Sequence, residues 1–514
     1  MGWVVLSSLC GGLGNSLEPV AMLAWLQPLC LIIGIGAFDL STWKRMLFIT
    51  ASVAVMQGAG VCLGYSSMFG YPHSTTGTVM ASFGLGILIW LIYTVLAVLP
   101  HYYFQRRYLD NKLTPLVYPV CHTAVSIVLI GNVSSTFTSI GNAVLDIGPL
   151  RFVSSLVGLA GVEFIVIWSA TTAALTALRH ESVRGWPKTM FCVVSVLLFV
   201  STGLLAQDEA LYQRNVAAQI RPVLPASCVM GQTAKRNSAD WDMIWNTTAA
   251  RVAAQDVFVL WAEEAVQITD NADETTLIAQ AQALALTTGQ SYIGLGYLKQ
   301  ADGQSSATNH FTLISPQGQV VWNYRKAHPV PGVEDDVDAG PEDLPTHESP
   351  YGKLAGAICF DLDFPNFIRQ AGQKRVDILL QPSWTWNAIS SRHFEGDAVR
   401  AIENGFTLVR CSSDGESGVV TPRGRFTSRV YTGHDPSVQV TFGIPRQARV
   451  PTMFTAVGFV FQWILLGPMC FFLFTVVMPE DWVKDNMGMS SKFDGRNSLL
   501  GLGRDFAGVD MPSA

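Results

Sequence analysis

The feature that most constrains this chain is the placement of its uncharged apolar runs. A membrane-spanning helix needs about 20 largely apolar residues. Such runs occupy 19–38, 46–65, 80–101, 116–131, 152–178 and 189–206, and return once more at 453–478. Residues 2–14 (GWVVLSSLCGGLG) are apolar but short and lack a basic start. They read as a short first span or half of a hairpin rather than a cleaved leader. Charged residues make up 14% of the chain, against roughly 25% in soluble domains, and the deficit is confined to these runs. The pattern therefore predicts a helical membrane bundle over 1–206, a soluble domain over 207–450 and a C-terminal span over 451–478. The Gly, Ser and Asp content and weak periodicity of 479–514 predict a disordered tail.

Basic residues in short loops set orientation. Lys44 and Arg45 share one loop; Arg106, Arg107 and Lys112 a second; Arg179, Arg184 and Lys188 a third. They alternate with 66–79, which has no charge, and 132–151, which has only Asp146 and Arg151. With the basic loops cytoplasmic, 207–450 is expected in the periplasm, the cell exterior or a lumen, and the tail in the cytoplasm. Sequons at Asn132 and Asn246 fall on the outer side and matter only in a eukaryotic host. The net charge of −6 and the lack of a basic block give no nucleic-acid signal. Nine cysteines without C-x-x-C pairs indicate neither a disulfide framework nor a zinc site, and no metal or cofactor is expected. One carboxylate, Glu163 in GLAGVEFIVIW, lies inside a span. Two readings stay open for it: a protonated or snorkelling side chain, or a role near a substrate path.

The soluble part alternates β-branched runs with helical stretches. VFVLWAEEA, SYIGLGYL, KLAGAICF and VDILLQPSW read as strands, HFTLISPQGQVVWNY as a hairpin, and HFEGDAVRAIENG as a helix ending at Gly405. Such alternation argues for a layered α/β domain. Glu263, Lys326 and Cys359 each follow one of these strands, where α/β folds gather their catalytic groups. A thiol becomes a nucleophile when a base takes its proton and a cation stabilises the charge. Glu263 can do the first, and Lys326 the second or the stabilisation of an oxyanion.

With LWAEEA, NYRKAHPVPGVE and CFDLDFP on the page, the chain resembles the nitrilase, or carbon-nitrogen hydrolase, superfamily. The resemblance implies an α/β/β/α sandwich with a Glu263–Lys326–Cys359 triad and Glu334 as accessory glutamate. It also implies that Phe360 and Asp361 shape the nucleophile's turn, and that Glu403 in RAIENG belongs to an accessory helix. Over about residues 10–478 the chain looks like the apolipoprotein N-acyltransferase branch, in which a helical bundle and one C-terminal helix bracket an exported catalytic domain. GPLRFVSSLVGLAGVEFIVIW resembles the penultimate helix of that bundle. There are departures: Trp261-Ala262-Glu263 replaces Trp-Pro-Glu, Phe360 stands where Tyr is usual, Asp361 where Glu is, and SWTWNAISSRH has no counterpart.

The resemblance implies transfer of a fatty acyl group from a membrane phospholipid, through a thioester on Cys359, to an amine, in the family that of a lipidated protein. Trp384 and Trp386 are candidate substrate contacts at the membrane interface, or else core packing. Glu163 is a third candidate. The rivals are a membrane-tethered amidase or nitrilase that delivers the thioester to water, and a catalytically dead scaffold, against which the intact triad counts.

Overall fold

The computed structural model describes residues 1–17, 19–66, 76–108, 111–145, 147–217, 223–300, 305–386, 389–446, 449–487 and 489. Helices over Trp43–Gly64, Ser82–Arg107, Gly148–Ala177, Trp186–Gln207 and Phe454–Val477 are long and apolar enough to cross a membrane. Ala21–Gly36 and Thr114–Ile130 are apolar but shorter, each with an internal proline, Pro28 and Pro119. Gly2–Gly14 is a helix of 13 residues, about 20 Å long, and packs beside Ala21–Gly36 and Trp43–Gly64. Its contact with Trp43–Gly64 is made of small residues: a Cβ on Gly12 would lie 2.4 Å from the Gly60 carbonyl oxygen, and one on Gly64 would lie 2.2 Å from that of Gly12. Small side chains let the two backbones approach, which is how helices associate where water gives no hydrophobic drive.

The bundle's central helix, Gly148–Ala177, is broken at Gly158, whose φ of 73° and ψ of −178° are not helical. Only glycine takes that conformation cheaply, and a Cβ there would also press on the Phe454 ring at 2.5 Å. Trp186–Ala217 is a helix of 32 residues whose membrane-length part is almost uncovered by the rest of the bundle. Near its end Leu204 accepts a hydrogen bond from Arg423 at 3.3 Å, and Glu209 pairs with Arg425.

The soluble domain is two sheets packed face to face. One runs Val440–Pro445, Val223–Val229, Phe258–Trp261, Tyr292–Lys299, Val266–Ile268, Ala234–Lys235, with the hairpin Thr308–Ile314/Val320–Arg325 paired to Tyr292–Lys299. The other runs Phe426–Thr432, Gly415–Val420, Thr407–Ser413, Ile378–Trp384, Gly352–Gly356, Thr346–Ser349. Leu224, Phe258 and Phe311 meet Leu354, Leu379 and Leu408 in the core between them. Ala239–Ala253 and Asn271–Thr288 cover the first sheet through Ile244, Val252, Leu277 and Ala281. Pro365–Gln373 and Ser390–Asn404 cover the second. This is the expected α/β/β/α order. Gly405, at φ 73°, ends Ser390–Asn404 as a left-handed cap.

Two expectations are corrected. Cys228 and Cys411, which no spacing rule linked, form a disulfide between neighbouring strands of the two sheets, with Cα atoms 5.2 Å apart. Sheet stacking, not sequence proximity, brings them together. The tail does not begin as disordered chain: Glu480–Met487 is a helix, seated by the fully buried Val483 and by Trp482 against Phe474 at 5.4 Å. Residues 490–514 lie outside the described residues.

The bundle docks under Pro365–Gln373 and Ser390–Asn404. A strap over 135–145, which includes the short 3-10 helix Ile140–Val144, carries much of the contact. Thr136 donates its N–H and its hydroxyl to the Asp363 carbonyl at 3.1 and 2.9 Å. Arg392 donates to the Ser16 and Phe137 carbonyls at 3.0 and 3.1 Å, and Arg400 to the Thr136 hydroxyl at 2.8 Å.

Candidate active site

Glu263 sits two residues past Phe258–Trp261, Lys326 directly past Val320–Arg325, and Cys359 three residues past Gly352–Gly356. Strand pairing in two sheets brings these ends to one buried point, with Glu263, Lys326 and Cys359 at most 5% exposed. Lys326 Nζ donates to Glu263 Oε1 at 2.8 Å and to Glu334 Oε2 at 2.6 Å. Cys359 opens a tight helical turn, Cys359–Asp363, with φ at 40°. That left-handed conformation is costly for a residue with a side chain. Asp361 holds it: Oδ2 accepts the Tyr324 hydroxyl at 2.8 Å and the Ile358 N–H at 2.9 Å, and Oδ1 accepts the His328 N–H at 2.9 Å. Phe360 is half-buried and packs edge-on against Phe364 at 5.3 Å.

Cys359 is among the groups that work to lower the pKa of the Glu263 carboxyl. Its sulfur accepts from Ser383 Oγ at 3.1 Å and faces the Trp384 carbonyl at 3.5 Å. Burial pushes its pKa up, as does the Glu263 charge; His393 and Lys326 work the other way. Burial likewise raises the Glu263 carboxyl, partly offset by Lys326. For Lys326 burial opposes the charge, but Glu263 and Glu334 outweigh it and hold the ammonium charged. Such a pairing is a proton acceptor against a fixed cation, beside a thiol.

Glu264, the neighbour of the proposed base, is also inside. It adopts φ 50°, and burial with the charges of Glu263 and Glu334 raises its carboxyl to about 8. Asn309, which sequence reasoning missed, ties the three glutamates together, donating to Glu263 Oε1 at 2.9 Å, Glu264 Oε1 at 3.0 Å and Glu334 Oε1 at 3.3 Å. Oxygens of the three lie within 4.8 Å of one another, a spacing that suits a divalent cation, but Lys326 Nζ already bonds two of them. The cradle is built round an ammonium.

The other candidates fall elsewhere. Glu403 turns its carboxylate away from the thiol, toward the bundle: Oε1 accepts the Leu159 N–H at 2.7 Å and Oε2 pairs with Arg400. Glu163 is fully buried in the bundle, 3.1 Å from His122 Nδ1, accepting from Ser126 at 2.9 Å and from the Ser139 hydroxyl. Ser139 belongs to the strap, so Glu163 reaches the catalytic domain through that segment. Trp384 gives the site its carbonyl, and its ring is 6.5 Å from that of Trp386. A second missed group is His393, buried with Asp363, Asp397 and Arg410. The His393/Asp397 pair at four-residue spacing in SSRHFEGDA was the available signal.

Residues 241–436 match the carbon-nitrogen hydrolase family. Among full-length relatives, the apolipoprotein N-acyltransferase of Rickettsia prowazekii (strain Madrid E) is 22% identical over 337 residues, taking in 59% of this chain and 64% of that protein. The apolipoprotein N-acyltransferase of Azotobacter vinelandii (strain DJ / ATCC BAA-1303) is 25% identical over 316 residues, 55% of this chain and 58% of that one. The match thus spans under two thirds of either relative. The deaminated glutathione amidase of Dictyostelium discoideum is 33% identical over 118 residues, 21% of this chain and 40% of that protein. Of solved structures, an amidase from Nesterenkonia sp. superposes with a TM-score of 0.37 at 18% identity, over 45% of this chain and 92% of its own.

Proposed function

We propose that this protein is a membrane-embedded N-acyltransferase that works by a Cys359 thioester, with Glu263 as base and Lys326 as oxyanion partner. The observation that carries the reading is a buried thiol flanked by a carboxylate and a charged lysine, in a domain docked on an apolar helical bundle. The names of the apolipoprotein N-acyltransferase relatives support a lipidated protein's amine as acceptor, and the bundle supports a phospholipid as donor, both being confined to the bilayer. The catalytic domain faces the periplasm, the exterior or a lumen; the three basic loops and the disulfide support that side.

In the first half-reaction Glu263 takes the thiol proton while sulfur attacks the ester carbonyl, and Lys326 faces the oxyanion. The C–O bond breaks, Glu263 returns the proton to the leaving alkoxide, and a lysophospholipid departs. In the second, the amine attacks the thioester, Glu263 takes its proton, the C–S bond breaks and the proton returns to sulfur. Amide and alcohol are the net products. Glu334 and Asn309 hold Lys326 and Glu263 in register.

Protein purified from membranes without acceptor is expected to carry a hydroxylamine-sensitive fatty acyl mass on Cys359, because a ping-pong enzyme waits for its second substrate. Cys359→Ala loses the mass. Lys326→Ala loses it for want of about 3 kcal/mol of oxyanion stabilisation. The segment shared with the amidase from Dictyostelium discoideum favours a second reading, delivery to water. Absence of any adduct together with ammonia release from simple amides would move the assignment there.

A further inference from the structure

Helix Pro365–Gln373 begins two residues past the turn Cys359–Asp363. It runs antiparallel beside the opening turns of the C-terminal span, Phe454–Val477, and three contacts fix that register. Gln462 Nε2 donates to Asn366 Oδ1 at 3.4 Å. The Arg369 guanidinium carbon stands 3.3 Å from the Phe459 ring centroid. A Cβ on Gly372 would meet the Thr455 side chain at 2.7 Å. Phe459 is five residues into the span, about 7 Å from its first residue. The 24 residues of the span measure about 36 Å, against a hydrocarbon layer of about 30 Å. Arg369 therefore stands where headgroups give way to acyl chains.

A guanidinium at that level is costly unless an anion meets it, and the protein supplies none. Neither Pro365–Gln373 nor 453–478 contains an Asp or Glu. Of the carboxylates at this joint, Glu403 is taken by Arg400 and Asp363 lies 3.0 Å from His393. Arg369 Nε is buried without a hydrogen-bond partner, and among the described residues no carboxylate pairs with the side chain. Burial lowers its pKa. The Phe459 ring accounts for one side of the guanidinium; the residue is half-buried rather than enclosed, so the rest of it can be reached. A planar fork of N–H donors suits a phosphate, and at this depth the phosphate on offer is a lipid's. Val460 and Trp463, exposed one and four residues beyond Phe459, give acyl chains an apolar wall.

We propose that Arg369 seats the phosphate of a membrane phospholipid in the joint between helix Pro365–Gln373 and the C-terminal span. Phe459 holds the guanidinium, and the phosphate supplies the missing negative charge. The inference rests on Phe454–Val477 crossing a bilayer and not on the acyl transfer proposed above.

The test uses the delipidated full-length protein in detergent, titrated with a dialkyl-ether phosphatidylglycerol or with the matching dialkylglycerol, which lacks the phosphate. Neither lipid has an ester, so no acyl transfer can consume it. Retention of the first lipid is read by native mass spectrometry. The wild type should hold the phospholipid about tenfold more tightly than the phosphate-free lipid. Arg369→Gln should abolish that preference. Arg369→Lys, which keeps the charge without the flat fork, should reduce it about threefold, and serves if Arg369→Gln does not fold. Equal retention of the two lipids by the wild type overturns the site, as does an undiminished preference in Arg369→Gln, or in Arg369→Lys where that must serve. Displacement of the lipid by millimolar inorganic phosphate would make this a free-anion site and also overturn it. Release of the protein from membranes by alkaline carbonate would remove the membrane placement and the lipid site with it, whereas the acyl transfer fails separately, on a missing Cys359 adduct.

Discussion

Leu159 donates its backbone N–H to Glu403 Oε1 at 2.7 Å, a bond that crosses from the bundle to the catalytic domain. It exists because the helix breaks at Gly158. The residues after a break have N–H groups without helical partners, and the exposed end of the helix dipole favours an anion. Glu403 fills that position while remaining paired to the buried Arg400.

Replacing Glu403 by Ala strands Arg400 inside the protein, and unpairing one member of a buried ion pair costs about 3–5 kcal/mol. The thermal unfolding midpoint of the detergent-solubilised protein should fall, while the pH midpoint of Cys359 alkylation by iodoacetamide stays put. Loss of acyl transfer at an unchanged melting temperature would place Glu403 in the chemistry instead.

The two adjacent glutamates should separate cleanly. Glu263→Gln removes the base and should leave no detectable thioester, whereas Glu264→Gln should acylate at a rate within a few-fold of wild type. The reverse pattern would mean that the base has been assigned one residue too early.

Glu264 also makes a pH-dependent demand on stability. Its carboxyl is raised to about 8 in the folded protein, against about 4.3 unfolded. Below the unfolded value both states hold the proton and glutamine brings no gain. As pH rises from there the unfolded state ionises first, so the wild type loses stability until the folded carboxyl also ionises near 8. Glu264→Gln should therefore be more stable than wild type at pH 7, by on the order of 3–4 kcal/mol, with no advantage near pH 4. An advantage that is flat across this range would refute the burial argument.

The Cys228–Cys411 bridge closes a loop of 183 residues, for which chain-entropy reasoning gives about 5 kcal/mol. The double variant Cys228→Ala/Cys411→Ala should melt markedly lower, and the wild type should resist thiol alkylation at both positions until reduced. A reporter fused after Ala206 should register as exported. Free thiols at both positions together with a cytoplasmic reporter signal would reverse the proposed orientation.

Much of the candidate site was legible because it is local. Glu263, Lys326 and Cys359 each follow a strand whose apolar pattern is unmistakable, and a strand end in an α/β sheet has a known destination. The layered α/β class and the Gly405 cap followed from the same periodicities, and the α/β/β/α order from the family resemblance. His393 and Asn309 were not legible, because each reaches its place through topology: one from a helix covering the second sheet, the other from the base of a hairpin on the first. The disulfide was hidden for the same reason, its partners meeting only once the sheets stack. At Gly158 a glycine in an apolar run reads as a packing residue, and nothing beside it shows that the helix stops there. Val483 and Trp482 give the tail helix its apolar face, but over too short a stretch to stand out against the Gly- and Ser-rich sequence that follows.

The helix Trp186–Ala217 has 32 residues, which makes it about 48 Å long, whereas the hydrocarbon of a bilayer is about 30 Å thick. It meets the domain at Leu204 and Glu209, roughly where the apolar sequence runs out. On the proposed membrane placement the helix would work like a keel, setting how deep the catalytic domain rides in the headgroup layer. Under the proposed acyl transfer, a lipid ester would not need to be lifted into water to meet the thiol, since the protein would carry its nucleophile down to the ester. Removing one helical turn below Leu204 would draw the domain about 5 Å toward the lipid tails, altering which acyl linkages lie within reach before any residue of the site is touched.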